Sequence, residues 1–190
     1  MLKISDRAFS YLSSLDIPEV SNLVTIVEDK VQVKESKARG FYKNQKWNKF
    51  LNVSERCNFN TILSILDGKI ILKDEIHLHK FEMLYEDPQL NFAVIFDSDS
   101  DFANVRKKCR NNAKLKIVKN VETEYLKHIT DFFNCGNFKI LLVAGQNLNK
   151  DEEIFVSPDL FRNRTRNDTC MCTKSRLCLS KSDKSNRSPP

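Results

Sequence analysis

The sequence predicts an α+β domain that is mostly β and consists of short irregular strands with a few helices. Short apolar segments bounded by polar or turn residues recur along the chain, and such segments are typical of strands. Amphipathic helical patterns occur at residues 4–15 and 122–133. Short strands with few helices favour an α+β architecture.

The N-terminal segment predicts a helix followed by a strand. Residues 4–15 end before Pro18 and carry an apolar helical face, which consists of Ile4, Ala8, Leu12 and Leu15. Residues 24–33 alternate as a strand does. The Lys-rich residues 34–46, which include Gly40, predict a boundary loop.

The middle and the end of the chain predict strands at five places, residues 59–66, 69–73, 92–96, 138–144 and 153–156. Asp67-Gly68 predicts a tight turn between the first two strands. Residues 122–133 place one apolar stripe on a helix, and Cys135-Gly136-Asn137 closes that helix as a C-terminal cap does.

Length and composition exclude several classes of protein. A chain of 190 residues with 41% hydrophobic and 29% charged residues fits one folded domain and excludes wholesale disorder. The four glycines are too far apart for a Walker or dinucleotide-binding loop. The longest apolar run, residues 140–144, is far below the roughly 18 residues that cross a membrane. The N-terminus lacks the apolar core of a signal peptide, so we expect an intracellular protein with reduced cysteines.

The formal charge of +6 is concentrated at the C-terminal end. Residues 161–190 hold eight Lys or Arg against two Asp, and the rest of the chain is balanced. Such a Ser-rich basic end is either a solvated, mobile tail or a contact for acidic partners such as nucleic acid or chromatin. Residues 106–119 carry seven basic residues and no acid, and could likewise contact phosphates.

Other clusters of polar and charged side chains favour surface roles over metal binding or catalysis. His77 and His79 have the spacing of same-face imidazoles on a strand, yet no further ligand accompanies them, so we expect a surface pair. His128 lies on the polar side of its predicted helix. The alternating carboxylates Asp97, Asp99 and Asp101 lack the glycine and distal Glu of a calcium loop, so a solvated turn is expected. No Ser, His and Asp set or Cys–His pair supports nucleophilic catalysis.

Several segments, in this order, resemble motifs of SET domains, the protein-lysine methyltransferase family. Residues 104–115, with Cys109 at their centre, resemble the basic motif that usually ends in Cys-x-Pro-Asn-Ala. Residues 138–144 and 148–154 resemble the final strands and the Gly-Glu-Glu turn. Cys170-Met171-Cys172 with Cys178 resembles the post-SET segment. Upstream of these, residues 66–75 are similar to a segment of the divergent co-repressor-associated branch, many members of which are thought to be poor or inactive methyltransferases.

The resemblance implies a SET-type fold and a domain organisation. Residues 1–45 are expected to form an N-terminal helix and strand extension, and residues 46–160 the SET-like domain. Residues 161–178 would be a post-SET-like zinc segment, and residues 179–190 a disordered basic tail. The basic residues of 106–119 would thread through the domain centre, with their charged ends mostly in solvent.

The resemblance also implies S-adenosylmethionine as cofactor, with contacts at Arg106 and Asn112, but three parts of the machinery differ. The expected Gly-x-Gly falls at Trp47-Asn48-Lys49, whose side chains would obstruct the cofactor. Arg106-Lys107 replaces the usual Asn-His, and Asn111 replaces the usual Pro. Pro158, which has no hydroxyl, stands where the catalytic Tyr belongs. We therefore assign no catalytic residue.

The cysteines fit a structural zinc site within the same resemblance. Post-SET cysteines fold back to the central one, which gives a predicted ligand set of Cys109, Cys170, Cys172 and Cys178. Four reduced thiolates are the donors that tetrahedral zinc prefers. The alternative is a disordered tail with merely reduced thiols. Cys57 and Cys135 lie on apolar segments and are expected to be core residues.

Three functions follow as hypotheses. The first is a catalytically impaired SET-domain protein, nuclear, that acts as a binding or scaffold module for chromatin-associated proteins or histone tails. The second is an active but divergent S-adenosylmethionine-dependent protein (histone)-lysine methyltransferase, in which Tyr85 or Phe155 supplies the lysine channel. The third is a small basic zinc-binding protein that binds nucleic acid through its tail. No membrane contact is expected.

Overall fold

The computed structural model describes residues 2–21, 29–35, 49–81, 83–97, 100–121, 138–158 and 160–163. Its elements, in chain order, are β1 (Lys3–Ile4), α1 (Asp6–Ser13), β2 (Glu19–Ser21), β3 (Val31–Glu35), β4 (Lys49–Val53), β5 (Ile62–Leu66), β6 (Lys69–Leu72), a 3-10 helix (Lys73–Leu78), β7 (Met83–Glu86), β8 (Phe92–Phe96), a second 3-10 helix (Asp101–Asn104), β9 (Arg106–Lys107), β10 (Ala113–Val121), β11 (Phe138–Ala144), β12 (Phe155–Val156) and β13 (Phe161–Asn163). The prediction of a mostly β, α+β domain of short strands with a few helices is confirmed.

Two sheets form most of the described structure. The first has five strands in the order β1-β6-β8-β7-β13, with β1 parallel to β6 and all other neighbours antiparallel. The second has four strands in the order β2-β10-β11-β5, with β2 parallel to β10. Two further pairs complete the set, β3 with β4 antiparallel and β9 with β12 parallel.

The largest apolar cluster joins the helix to both large sheets. Leu12 of α1 packs into the same cluster as Phe92 of β8 and Leu142 of β11, each at most 2% exposed. Burial of each such side chain contributes about 1.5–3 kcal/mol. The predicted strands at residues 92–96 and 138–144 are confirmed, and every side chain of β8 and all but one of β11 are buried.

Helix α1 begins where its cap residue binds a distant carboxylate. Ser5 Oγ accepts a hydrogen bond from the Ala8 amide at 3.2 Å and donates one to Glu75 at 2.8 Å. Glu75 is buried and also accepts from the Leu72 amide at 2.8 Å. The cap therefore fixes α1 to the first 3-10 helix. The predicted helix at residues 4–15 is confirmed, with bounds Asp6–Ser13.

The predicted tight turn at Asp67-Gly68 is a two-residue connection between β5 and β6, but it does not form a hairpin, because the two strands belong to different sheets. The glycine there is required by close packing. A Cβ at Gly68 would lie 2.7 Å from the Ile95 carbonyl oxygen and 3.1 Å from Val94 Cγ1. The segment at 67–68 thus passes the chain from one sheet to the other against β8.

Two other predictions differ from the structure, and a third agrees with it where it is described. Residues 59–60 form a turn in which Asn60 has φ of 63°, so the strand there begins only at Ile62. His77 lies in the first 3-10 helix instead of a strand, with its side chain exposed as expected of a surface residue. Of the predicted strand at 24–33, the described residues from Val31 onwards are extended.

Several predictions lie outside the described residues. They concern residues 36–46 of the boundary loop, Trp47 and Asn48, Asp99, the helix at 122–133 with His128, the cap with Cys135, the cysteines Cys170, Cys172 and Cys178, and the tail at 179–190. In the part of the chain that the structure describes, no helix has the length and apolar character needed to span a membrane.

Candidate functional site

Two segments from different parts of the chain lie side by side at the centre of the candidate site. Strand β9 pairs in parallel with β12, so that Arg106 is opposite Phe155. The pairing continues beyond β9, because the Lys108 amide donates to the Val156 carbonyl at 2.9 Å and the Asn112 amide to the Phe155 carbonyl at 3.2 Å. The basic motif around Cys109 is thereby fixed against the last part of the domain.

The Asn112 side chain links the two paired segments. The carboxamide is buried, its Nδ2 donates to the Glu153 carbonyl oxygen at 2.8 Å, and its Oδ1 accepts from the Phe155 amide at 2.8 Å. Asparagine can do this because one end of its amide donates and the other accepts. The side chain therefore acts as an extra rung between two segments about 40 residues apart.

Arg106 is held by a carboxylate and two aromatic rings. Its Nε and Nη2 donate to the two carboxylate oxygens of Glu153, a bidentate arrangement that only a guanidinium forms. The guanidinium carbon lies 5.3 Å from the ring centre of Phe50 and 6.0 Å from that of Phe155. Both charged groups are largely buried, with exposed fractions of 22% for Arg106 and 16% for Glu153.

The two neighbouring lysines, Lys107 and Lys108, also contact other groups of this chain. Lys107 is buried, and its Nζ donates to the Phe161 carbonyl oxygen at 2.7 Å. Lys108 places its Nζ 4.7 Å from the centre of the Phe155 ring. The expectation that the charged ends of residues 106–119 mostly reach solvent holds for Arg110 and Lys116, which are exposed. It is wrong for Arg106, which is largely buried, and for Lys107, whose ammonium donates to the Phe161 carbonyl oxygen in β13.

Tyr85 is a packed residue whose hydroxyl has a partner. Its ring centre lies 5.2 Å from that of Phe161 and 6.5 Å from that of Phe92, and its hydroxyl hydrogen-bonds to Asp87 at 3.1 Å. Burial raises the pKa of Tyr85 well above its ordinary value, and the adjacent Asp87 carboxylate raises it further. Pro158 lies in a turn after β12 and is half-buried.

The structure describes one of the four predicted zinc ligands. Cys109 is half-buried and follows β9 by two residues, whereas Cys170, Cys172 and Cys178 lie outside the described residues. Within the described ranges, no three His, Cys, Asp or Glu side chains are grouped to hold a metal ion. The thiolate chemistry of the predicted set fits zinc.

Cys57 is a core residue, as predicted, with 3% exposure. Its Sγ donates to the Glu55 carbonyl oxygen at 3.6 Å. Burial raises the pKa of the Cys57 thiol, an effect that nearby Lys30 partly opposes. A buried thiol with a raised pKa is a poor nucleophile.

Sequence reasoning missed two members of the site, Glu153 as the partner of Arg106 and Phe50 as its ring platform. Both belong to segments that the sequence had already singled out, the Glu-Glu turn and the region of the expected Gly-x-Gly. The signal that could have found the ion pair is the coincidence of an unusual Arg at position 106 with the second Glu of that turn.

No protein-family model matches the sequence, and no curated protein matches it. Solved structures are similar to it at low identity. Apo ctPRC2 in an autoinhibited state is similar at 15% identity with a TM-score of 0.47, over 72% of this chain. The polycomb repressive complex 2 of Chaetomium thermophilum is similar at 15% identity and 0.43, over 69%. KRYPTONITE in complex with mCHH DNA, an H3(1-15) peptide and SAH is similar at 13% identity and 0.43, also over 69%. The chain spans only 16%, 15% and 23% of the lengths of these three proteins.

Proposed function

We propose that this chain is a catalytically impaired SET-domain protein that serves as a binding or scaffold module in chromatin or transcription regulation. The proposal rests on the order of the SET-like segments in the sequence. It is carried by one observation in the structure, namely that Arg106, at a position where the resemblance implies a cofactor contact, is bound to Glu153 and to two aromatic rings.

The residues present do not fit S-adenosylmethionine. Two nitrogens of the Arg106 guanidinium and both polar side-chain atoms of Asn112 bond to residues 153–155, and a cofactor would have to compete with these bonds. Displacing Arg106 would leave the Glu153 carboxylate largely buried without its partner, which costs several kcal/mol. The sequence also has no glycine at residues 47–49, where the resemblance implies Gly-x-Gly.

The aromatic side chains that could replace the missing Tyr are already engaged. Pro158 offers no hydroxyl to orient an attacking amine. The Tyr85 hydroxyl is bound to Asp87, and Lys108 of the chain itself lies over the Phe155 ring. These contacts favour the impaired protein over the active methyltransferase.

Zinc belongs to the proposal as a structural ion. Cys109, Cys170, Cys172 and Cys178 would hold it, and the ion would attach residues 161–178 to the segment that follows β9. The partners that this function implies are chromatin-associated proteins or histone tails. The localisation that it implies is nuclear. The basic residues of 161–190 would add contacts to nucleic acid.

Calorimetric titration with S-adenosylmethionine tests the impaired state. We expect no saturable binding in the micromolar range by the full chain. A matched variant, Arg106→Asn, introduces a smaller side chain at the same position. It is expected to bind S-adenosylmethionine no more than weakly, since the glycines are still missing. Micromolar binding by the unmodified chain would contradict the proposal.

Elemental analysis tests the zinc site independently. We expect about one zinc per chain in protein purified without chelators, and its loss in Cys172→Ser. Cys135→Ser, which changes a cysteine outside the predicted ligand set, is the control and is expected to keep its zinc. Equal zinc content in all three proteins, or none in the unmodified chain, would exclude this ligand set.

A further inference from the structure

The four-stranded sheet carries a row of lysines on the face that points away from the main core. Residues of β10 and β11 alternate between the two faces, and Leu142 and Ile140 point into the main cluster. Leu141 and Val143 therefore point to the opposite side, where they form a separate cluster with Val118. The sheet pairing places Lys114, Lys116 and Lys139 on that side too.

The three lysines are close enough to act together. Lys114 and Lys116 are two residues apart on β10 and hence about 7 Å apart along the strand. Lys116 is opposite Leu141, so Lys139 is its diagonal neighbour at about 7–8 Å. Lysines on an apolar sheet face keep their stems on the apolar surface and their ammonium groups in water. Lys116 is exposed, and the other two are half-exposed.

An exposed aromatic ring stands at one end of this row. Phe59 is 55% exposed, the second most exposed large apolar side chain of the described residues. The Lys114 Nζ lies 5.2 Å from its ring centre, which places the ring beside the lysines. Its backbone is fixed by a hydrogen bond from the Phe59 amide to Asn147 Oδ1 at 2.8 Å. We call Phe59, Lys114, Lys116 and Lys139 the lysine track.

The described strands of this sheet place no acid beside the lysine track on its own face. Among the described side chains that β2, β5, β10 and β11 place there, none is a carboxylate. Lys119 of the same strand differs, because it points to the other side and pairs with Glu19 at 3.0 Å. A row of cations without counter-charges attracts a polyanion.

We propose that the lysine track binds single-stranded nucleic acid. The lysines would contact successive phosphates, and Phe59 would stack on a base. Proteins that bind single strands without sequence preference combine these two elements, a basic path for the backbone and an aromatic ring for the bases. An acidic protein segment would use the lysines but would gain little from an exposed ring, so the nucleic acid is the better match. This surface is separate from the site formed by the paired strands β9 and β12, and the proposal does not depend on the methyltransferase resemblance.

Fluorescence anisotropy with a labelled oligodeoxythymidine of about 15 nucleotides tests the proposal on the full chain. We expect the triple variant Lys114→Gln/Lys116→Gln/Lys139→Gln to bind about tenfold more weakly or worse at low salt. The slope of log affinity against log salt should fall by about 2, since each single-strand phosphate contact adds about 0.7. Phe59→Ala should weaken binding roughly fivefold or more through lost stacking.

Lys119→Gln is the matched control, because it removes a positive charge from the same strand on the other face. It should stay within about twofold of the unmodified chain, and circular dichroism should show that all variants are folded. A triple variant that binds like the unmodified chain would overturn the proposal, and so would a Phe59→Ala variant without effect. Polyglutamate that competes as well as unlabelled oligonucleotide would overturn it too and would indicate an acidic protein partner.

Discussion

Arg106 and Glu153, which are 47 residues apart in the chain, form a bidentate ion pair between the rings of Phe50 and Phe155. The pair joins β9 to the residues just before β12. It engages the Nε and Nη2 atoms of the guanidinium within the chain. The proposed loss of cofactor binding is a direct consequence of this arrangement.

Breaking the pair should destabilise the fold. Glu153→Gln leaves the Arg106 charge largely buried and without its counter-charge, and we expect the free energy of unfolding to fall by about 2–3 kcal/mol. Urea denaturation measures this change. The control is Glu19→Gln, whose partner Lys119 is 45% exposed, and an exposed pair of this kind is worth less than about 1 kcal/mol. Equal effects of the two changes would contradict a special role for the Arg106–Glu153 pair.

Removing the Asn112 carboxamide should weaken the contact between the segment that follows β9 and residues 153–155. Asn112→Ala deprives the Glu153 carbonyl and the Phe155 amide of buried partners, so we expect a loss of about 2–4 kcal/mol in unfolding free energy. Hydrogen exchange of the Phe155 amide should become faster. Asn111→Ala removes an exposed neighbour and should cost less than about 1 kcal/mol. Unchanged protection of Phe155 in the Asn112 variant would speak against the extra rung.

Substitution of Gly68 tests the close approach of the two sheets. In Gly68→Ala the new methyl group would meet the Ile95 carbonyl oxygen at 2.7 Å, so backbone must shift, and we expect destabilisation of about 2 kcal/mol or more. Gly145→Ala, where the nearest atom is 3.2 Å away, should cost less. Thermal unfolding of both variants gives the order. A Gly68 variant as stable as the unmodified chain would exclude the tight contact.

Tyr85 should make the fold sensitive to high pH. Its pKa is raised by burial and by Asp87, so the folded protein keeps the phenol protonated at a pH where the unfolded chain ionises it. The stabilising contribution is complete below pH 10, the ordinary value for tyrosine, and is lost progressively above it, by up to about 1.4 kcal/mol per pH unit.

Urea denaturation at several values between pH 8 and pH 11, chosen around the ordinary tyrosine pKa of about 10, compares the unmodified chain with Tyr85→Phe. The variant lacks the ionisable group, so its unfolding free energy should decline less steeply above pH 10. Parallel profiles for the two proteins would show that Tyr85 ionises alike in the folded and unfolded states.

The strands that the sequence predicted best are those with continuous apolar runs. The apolar runs at residues 92–96 and 140–144 lie in strands, and every side chain in these two runs is buried. Asp67-Gly68 predicts a tight connection but no hairpin, because turn residues report local conformation and not the sheet to which the next strand belongs. His77 and His79 alternate like strand residues, but Glu75 binds the Leu72 amide and favours a 3-10 helix there.

The site was only partly predictable for a related reason. Arg106, Cys109 and Asn112 stood out because they form one continuous motif. The contacts that define the site come from residues 40 or more positions away, and an ion pair across that distance leaves no local pattern in a sequence. The burial of Lys107 is equally non-local, since its acceptor is the carbonyl oxygen of Phe161.

Mass spectrometry of histone peptides incubated with the full chain and isotope-labelled S-adenosylmethionine tests the central claim most directly. The impaired SET-domain proposal predicts no labelled methyl group on any lysine above a control without protein. Pro158→Tyr should not change this outcome, because the cofactor contacts are still occupied within the chain. Transfer of labelled methyl by the unmodified chain, increased by Pro158→Tyr, would contradict the account.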